Sequence, residues 1–413
     1  MPGARQSLDN LGSSFGGLEL HSAPMKNLES LRLTLDTVDR RIIECLHSRQ
    51  ETVAQIARIK RDGLDFLRDH ERESALLDRI EAWAREFNLD PFRTREIFRE
   101  VIAMSLKAQE EALLSRERAE RSVRSCHRVA YQGTDGSYSQ LAAKKYFSNR
   151  SETMEFIGYS SFAEALESTE NGDAGYVLLP IENTTAGSIN QTYELLRNTD
   201  LSIVGEEILH IRHCLAALEG ASQQSIRRVL SHPQALTQCS RFLSSQEDLE
   251  VISFRDTAAA AREVRDAGDP SQAAIASEAA AEFYGLTVIA RDIADQSENW
   301  TRFVIVSAAE MIPDPRIPSK ISLVYTTPHH EGALADSLRV LSDHGLNLCK
   351  LESRPMPNRP WEYLFYVDVE GSLATEPAAL AIAELRRECP YLKVLGSYPA
   401  RTTPAGIVDR VER

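Results

Sequence analysis

No stretch of this sequence is apolar for long enough to cross a bilayer, so a helical membrane protein is excluded. The opening MPGARQSLDNLGSSFGGLELHSAPMK lacks the basic head and apolar core of a signal peptide, and its Gly and Ser content predicts a disordered leader over residues 1–26. Cysteine is sparse and scattered. Cys45, Cys126, Cys214, Cys239, Cys349 and Cys389 form no C-x-x-C pair, which argues against a disulfide framework and for reduced thiols in a cytoplasmic protein. Positive charge is also short, with 47 Lys and Arg against 61 Asp and Glu and a net charge of −14. That balance argues against nucleic-acid or anionic-membrane partners and requires any anionic ligand to be met by local cations. Metal-ligand spacing is missing too. The nearest cluster, His210, His213 and Cys214 in LHIRHCL, alternates like a strand, so its three donors do not all share a face, and neither a metal nor an organic cofactor is expected.

What the chain does have is length and three distinct rhythms. Its 413 residues exceed what one core organises, so two or three domains are expected. Between Leu28 and Lys60 apolar residues recur at intervals of three and four, which predicts one long amphipathic helix needing a partner chain. A break at Gly63, a second helix through Ile80 and Trp83, and an Asp90–Pro91 start to a third predict an all-helical domain over 27–115. The charged run RERAERSVRSCHR then reads as a linker over 116–127.

From 128 to 309 strands such as VAYQG, YVLLPIE, RRVLSHP and AAIAS alternate with helical stretches such as SQLAAKKYF and TAAAAREVRD, which predicts a two-lobed α/β domain with a cleft. Residues 318–400 read strand, helix, strand, strand, helix, strand, a ferredoxin-like βαββαβ module.

On the long helix, Arg49 and Lys60 lie eleven residues apart and so on nearly one face, suited to gripping a small dianion. Arg32 is too far along the same helix to share that ligand unless a second chain brings it. Downstream stand Asp69, Arg72 and Glu73, then Ser105 and Gln109 four apart on one helix face. Singly, each is an ordinary solvated helix position. Jointly, the spacing resembles the helical chorismate mutase family. That resemblance implies an intertwined dimer in which Arg32 of one chain joins Arg49, Lys60, Asp69, Arg72, Glu73, Ser105 and Gln109 of the other. Arg32 and Arg49 would hold the carboxylates of chorismate, while Lys60 and Gln109 would donate to the breaking ether oxygen. Such a rearrangement to prephenate needs only positioning and charge stabilisation.

In the α/β segment four polar clusters stand at strand ends or helix starts: GTDGSYS, PIENTTAGS, SHPQA and NWTRF. Each alone could be a turn or cap. Together they resemble prephenate dehydratase, with Thr134 and Thr184 standing where that family commonly has Pro and Ser. The resemblance implies that Thr301 assists departure of the ring hydroxyl, with Asn299 and Arg302 fixing it or binding carboxylate. It also implies that Glu182, Asn183, Ser231 and Gln234 orient substrate and that Ser137 and Ser139 donate to carboxylate.

The C-terminal stretches GALADSL and LNLCKLESRP resemble the ACT domain, whose phenylalanine site would fall on Gly332, Ala333, Leu334, Glu352, Ser353, Arg354 and Pro355. The reading as a whole is a bifunctional enzyme of phenylalanine biosynthesis. It acts on chorismate and prephenate, is inhibited by phenylalanine, needs no cofactor and assembles as a homodimer or higher homo-oligomer. A sensor that binds aromatic acids without turning them over is the rival, but it could dispense with Lys60 and Thr301.

Overall fold

The computed structural model describes residues 28–61, 70–120, 127–148, 150, 153–246, 248–357, 359 and 362–401. The expected leader, Gly63, Asp69 and residues 121–126 of the linker lie outside them. The chain divides between Thr52 and Val53 into two units.

The amphipathic run forms helix α1 (Leu28–Arg61), and most of it belongs to the first unit. Its apolar residues Leu31, Leu35, Val38 and Ile42 are exposed. In the second unit, α2 (His70–Glu86) packs on α3 (Pro91–Glu120), burying Leu77, Ile80, Ala84 and Ile102. Arg95 of α3 ties the pair by reaching Asp78 at 3.3 Å and Glu81 at 2.5 Å on α2. The Asp90 carboxylate caps α3 by accepting from the Arg93 amide at 3.1 Å. The helix then runs to Glu120, beyond its expected end at 115, because RERAE is charged but holds no Gly or Pro to stop it.

The next segment builds two sheets. The chain passes through β1 (Arg128–Gln132), α4 (Tyr138–Phe147), β2 (Glu155–Tyr159), α5 (Phe162–Glu170), β3 (Tyr176–Asn183), β4 (Gly187–Ser188), α6 (Asn190–Asn198) and β5 (Ser202–His210). It then enters a second lobe made of β6 (Cys214–Ala217), β7 (Arg228–Ser231), α7 (Pro233–Gln238), α8 (Ser240–Ser244), β8 (Glu250–Ser253), α9 (Thr257–Ala267), β9 (Gln272–Ala276), α10 (Glu278–Phe283) and β10 (Thr287–Ala290). Finally β11 (Trp300–Ser307) returns to the first sheet, between β3 and β5 and antiparallel to both. The sheet orders are β2-β1-β3-β11-β5, with β4 on β3, and β10-β6-β9-β7-β8.

LHIRHCL is therefore not one alternating strand. β5 ends at His210, three residues cross between lobes, and β6 begins at Cys214. Alternation in sequence does not register a change of sheet. Among the described residues no His, Cys, Asp or Glu group is arranged to hold a metal ion, and no helix is long and apolar enough to cross a membrane.

The last segment follows the expected order with β12 (Ser319–Thr326), α11 (Ala333–Asp343), β13 (Leu348–Pro355), β14 (Tyr363–Glu370), α12 (Glu376–Glu388) and β15 (Tyr391–Pro399). Its antiparallel sheet runs β13-β14-β12-β15, the ferredoxin-like arrangement. The two helices pack against Ile321, Leu323, Val367 and Val369. Residues of alternate parity, among them Val324, Tyr366 and Tyr398, join Ile203, Val304 and Val306 of the first lobe in one core. β15 approaches β5 so closely that a Cβ on Gly396 would clash with the Ile203 carbonyl oxygen.

Candidate functional site

Two stretches carry the chain between lobes, 211–213 outward and 291–299 back, and they pair where they pass. The Ile211 amide donates to the Asn299 carbonyl at 2.7 Å, and the Ile293 amide donates to the His213 carbonyl at 3.1 Å. β3 ends beside this crossing, with Asn183 opposite Thr301 in the ladder. Both side chains are buried, as is Asn299.

The hydrogen-bond directions in this cluster can be followed outward from the Asn183 carboxamide. The backbone amides of Thr185 and Ala186 donate to Asn183 Oδ1 at 3.0 and 2.8 Å, so the opposite end of that carboxamide must be its NH2. Asn183 Nδ2 donates to Thr301 Oγ1 at 2.9 Å and to Asn299 Oδ1 at 2.8 Å. Asn299 must then present its NH2 to Gln238 Oε1, 3.1 Å away, and Gln238 Nε2 donates to Thr185 Oγ1 at 2.5 Å. Gln238 Oε1 also meets His213 Nε2 at 2.9 Å, which makes that nitrogen a donor. Thr301 is thus an acceptor within the cluster. Among the described residues no acceptor takes its hydroxyl proton.

His213 is buried, and desolvation pulls its imidazole below the ordinary range in spite of the opposing bond to Gln238. Its other nitrogen, Nδ1, lies 3.0 Å from the Tyr138 hydroxyl at the start of α4. Gln238 was not among the candidates from sequence, His213 was weighed there only as a metal donor, and Tyr138 lies inside GTDGSYS without having been singled out. Gln238 lies just past SHPQA at the end of α7, and the signal available was a second Gln four residues after Gln234, which repeats one helix face.

The other interlobe contact is the loop after β1. The Thr134 hydroxyl donates to the Asp256 carboxylate that caps α9 at 3.1 Å, and the Tyr284 hydroxyl donates to the Asp135 carbonyl at 2.9 Å. Ser137 is buried and caps α4, and Ser139 is buried in the first turn of that helix. Ser231 is buried on β7 with its hydroxyl donating to the Ile275 carbonyl at 2.6 Å, so that hydroxyl ties two strands of the second sheet. Gln234 is exposed on α7.

Glu182 and Arg302 are placed elsewhere. Side chains alternate along a strand, so the neighbours of Asn183 and Thr301 project from the opposite face, against the C-terminal module. There Arg302 meets Glu206 and Asp368, each at 2.6 Å, and donates to the Tyr398 hydroxyl at 2.9 Å. Lys320 pairs with Glu206 at 2.8 Å and Lys350 with Glu182 at 2.8 Å. Arg302 is not brought to Thr301, although the two are adjacent in sequence. The same seam takes two of the expected regulatory residues, since Glu352 accepts from Ser188 at 3.0 Å and Arg354 donates to Asn190. Gly332, with φ of 82°, Ala333 and Leu334 line a separate cavity of about 580 Å³ together with residues 327–331 and Ala335. None of Glu352, Ser353, Arg354 and Pro355 lines it.

On the helices, Ser105 and Gln109 are both buried on one face of α3. Arg72 and Glu73 lie in the first turn of α2, while Arg32, Arg49 and Lys60 lie on α1. Burial lowers the affinity of the Arg49 guanidinium for its proton.

Residues 31–110 match the family model for chorismate mutase type II, and residues 129–311 match that for prephenate dehydratase. A bifunctional chorismate mutase/prephenate dehydratase from Enterobacter agglomerans is 38% identical over 377 residues, 91% of this chain and 97% of its own. Among solved structures, a prephenate dehydratase from Arthrobacter aurescens in complex with L-Phe aligns with a TM-score of 0.60 and 29% identity, covering 68% of this chain and 94% of its own. GqqA, described as a novel type of quorum quenching acylase, aligns with a TM-score of 0.60 and 32% identity, covering 67% of this chain and 99% of its own. Two family models in tandem, and a relative alike over nearly its whole length, place the chain in the family of bifunctional chorismate mutase/prephenate dehydratases.

Proposed function

We propose that the helical segment rearranges chorismate to prephenate and that the two-lobed segment converts prephenate to phenylpyruvate, consecutive steps toward phenylalanine. In the second step the ring carboxylate leaves as CO2 and its bonding electrons pass into the ring. The ring hydroxyl departs with a supplied proton as water. Aromatisation drives the step, so the protein has to orient the substrate and protonate the leaving oxygen.

Thr301 is the donor in this reading, and one observation carries it. Its oxygen accepts from Asn183 at 2.9 Å, which leaves its proton available and polarises the O–H toward donation. Asn299 and Gln238 hold Asn183 in that orientation. Ser137 and Ser139, near the loop that joins the lobes, are carboxylate donors, while Ser231 and Arg302 act on the sheet and the seam. Thr301→Val should lower dehydratase kcat by roughly 10²- to 10³-fold, the loss typical of one transition-state hydrogen-bond donor. Thr301→Ser should recover much of it, with mutase turnover unchanged in both. A Thr301→Val protein that forms phenylpyruvate at the normal rate would remove Thr301 from the mechanism.

In the helical segment, the family resemblance supports Arg32, Arg49, Asp69, Arg72, Glu73 and Ser105 as the groups that hold chorismate. Lys60 and Gln109 donate to its ether oxygen in the same reading. Arg32 comes from a partner chain in a homodimer, for which the exposed apolar residues of α1 are an argument. The C-terminal module is an ACT domain that binds phenylalanine at Gly332, Ala333 and Leu334, completed by Glu352 to Pro355 of a second copy, and the protein works in the cytoplasm. The L-Phe complex of the Arthrobacter relative supports the choice of effector.

A further inference from the structure

We propose that His213 is a positioning residue of the dehydratase, acting on Thr301 through the carboxamide of Gln238. A glutamine amide is nearly symmetrical in shape, so packing does not choose between its two orientations. The groups around it do. Gln238 Oε1 receives two donors, Asn299 Nδ2 at 3.1 Å and His213 Nε2 at 2.9 Å, while its NH2 faces the Thr185 hydroxyl. Reversing the amide would set NH2 against both of those donors.

The consequence runs along the chain of bonds. If Gln238 turns, Asn299 loses its acceptor and turns with it, and its NH2 then opposes the NH2 of Asn183. Asn183 is the group that holds Thr301 Oγ1. The anchor at one end is the pair of amides at 185 and 186, and the anchor at the other is the imidazole N–H. The Nε2–H of His213 faces Gln238 Oε1, so Nδ1 of the neutral ring is left as an acceptor for the Tyr138 hydroxyl 3.0 Å away, which shares its one proton between Nδ1 and the Arg212 carbonyl at 2.6 Å. The Tyr138 ring meets the imidazole edge-on, with centroids 5.6 Å apart. His213 thus stands on the outward crossing segment and Tyr138 on the first lobe, and the orientation of the Thr301 cluster is set where the lobes join.

The test uses the full-length protein. His213→Leu should lower dehydratase kcat by roughly 10- to 100-fold with KM little changed, the loss expected from misalignment of a group that does not itself touch substrate. His213→Gln, whose side-chain NH2 reaches the place of Nε2–H, should restore most of kcat. Tyr138→Phe leaves the imidazole but removes the donor at Nδ1, and should lower dehydratase kcat below wild type with KM little changed, a loss whose absence overturns the inference even if His213→Leu does not fold. Mutase turnover should be unchanged throughout. The inference is overturned if His213→Leu turns over normally, if Gln rescues no better than Leu, or if the loss lies in KM. It rests on Thr301 as donor, and the two failures are separable, because a fully active Thr301→Val defeats that reading whatever His213 does.

Discussion

Removing the charge of Asp368 should loosen the C-terminal module from the dehydratase lobe by an amount that the seam allows to be estimated. Arg302 and Lys320 face Glu206 and Asp368, so the buried group is neutral as a whole. Asp368→Asn keeps the size of the side chain and a partner for the Ser322 hydroxyl, now 2.5 Å from Oδ1, but leaves one positive charge in excess. Breaking a buried pair in this way costs about 3–5 kcal/mol. Arg302 retains Glu206 and Tyr398, so the lower end, about 3 kcal/mol, is expected, or roughly 1 M in urea midpoint for an m of about 3 kcal/mol per M. The assay is urea denaturation followed by Trp300 fluorescence, in a chain whose other two tryptophans are phenylalanine. Arg302→Met with Asp368→Leu should regain most of the loss, because Glu206 keeps Lys320 at 2.8 Å and the Arg401 amide at 2.6 Å. Burial pulls the Asp368 and Glu206 carboxyls upward, but Arg302, Ser322 and Lys320 at the first and Arg302, Lys320 and the Arg401 amide at the second outweigh it and hold both below their ordinary values. Their contribution is therefore complete above about pH 4.5 and is lost as pH falls through the depressed folded values, so wild-type stability should decline in acid more steeply than that of the double variant. An Asp368→Asn midpoint equal to wild type, or a double variant as unstable as the two losses added, would refute the reasoning.

Lys60→Ala should abolish chorismate rearrangement while phenylpyruvate still forms from added prephenate, as absorbance of each reaction would report. Gly396→Ala places a Cβ against the Ile203 carbonyl and should cost about 1–3 kcal/mol in the same urea assay, as overpacking does, with mutase turnover unaffected.

Much of the fold was legible because its signals are local. The 3.6-residue rhythm of α1, the Asp90–Pro91 start of α3 and the βαββαβ order of the last segment are each written in a few consecutive residues. The candidate dehydratase site was legible as a set of clusters, and Asn183, Asn299 and Thr301 do meet, though 116 residues separate the first from the second. Gln238 escaped, and His213 was weighed only as a metal donor, because a carboxamide and an imidazole that orient other groups leave no spacing of their own.

By itself the sequence determined the three segments, their order and the residue types available to each chemistry, since hydrophobic period and turn chemistry act between near neighbours. Only the tertiary structure decided which member of an adjacent pair serves which task. Thr301 and Arg302, like Asn183 and Glu182, differ by one position, and a strand turns successive side chains to opposite faces. Which face becomes the cluster between the lobes and which the charged seam depends on where the second lobe and the C-terminal module pack, and those contacts join residues far apart along the chain.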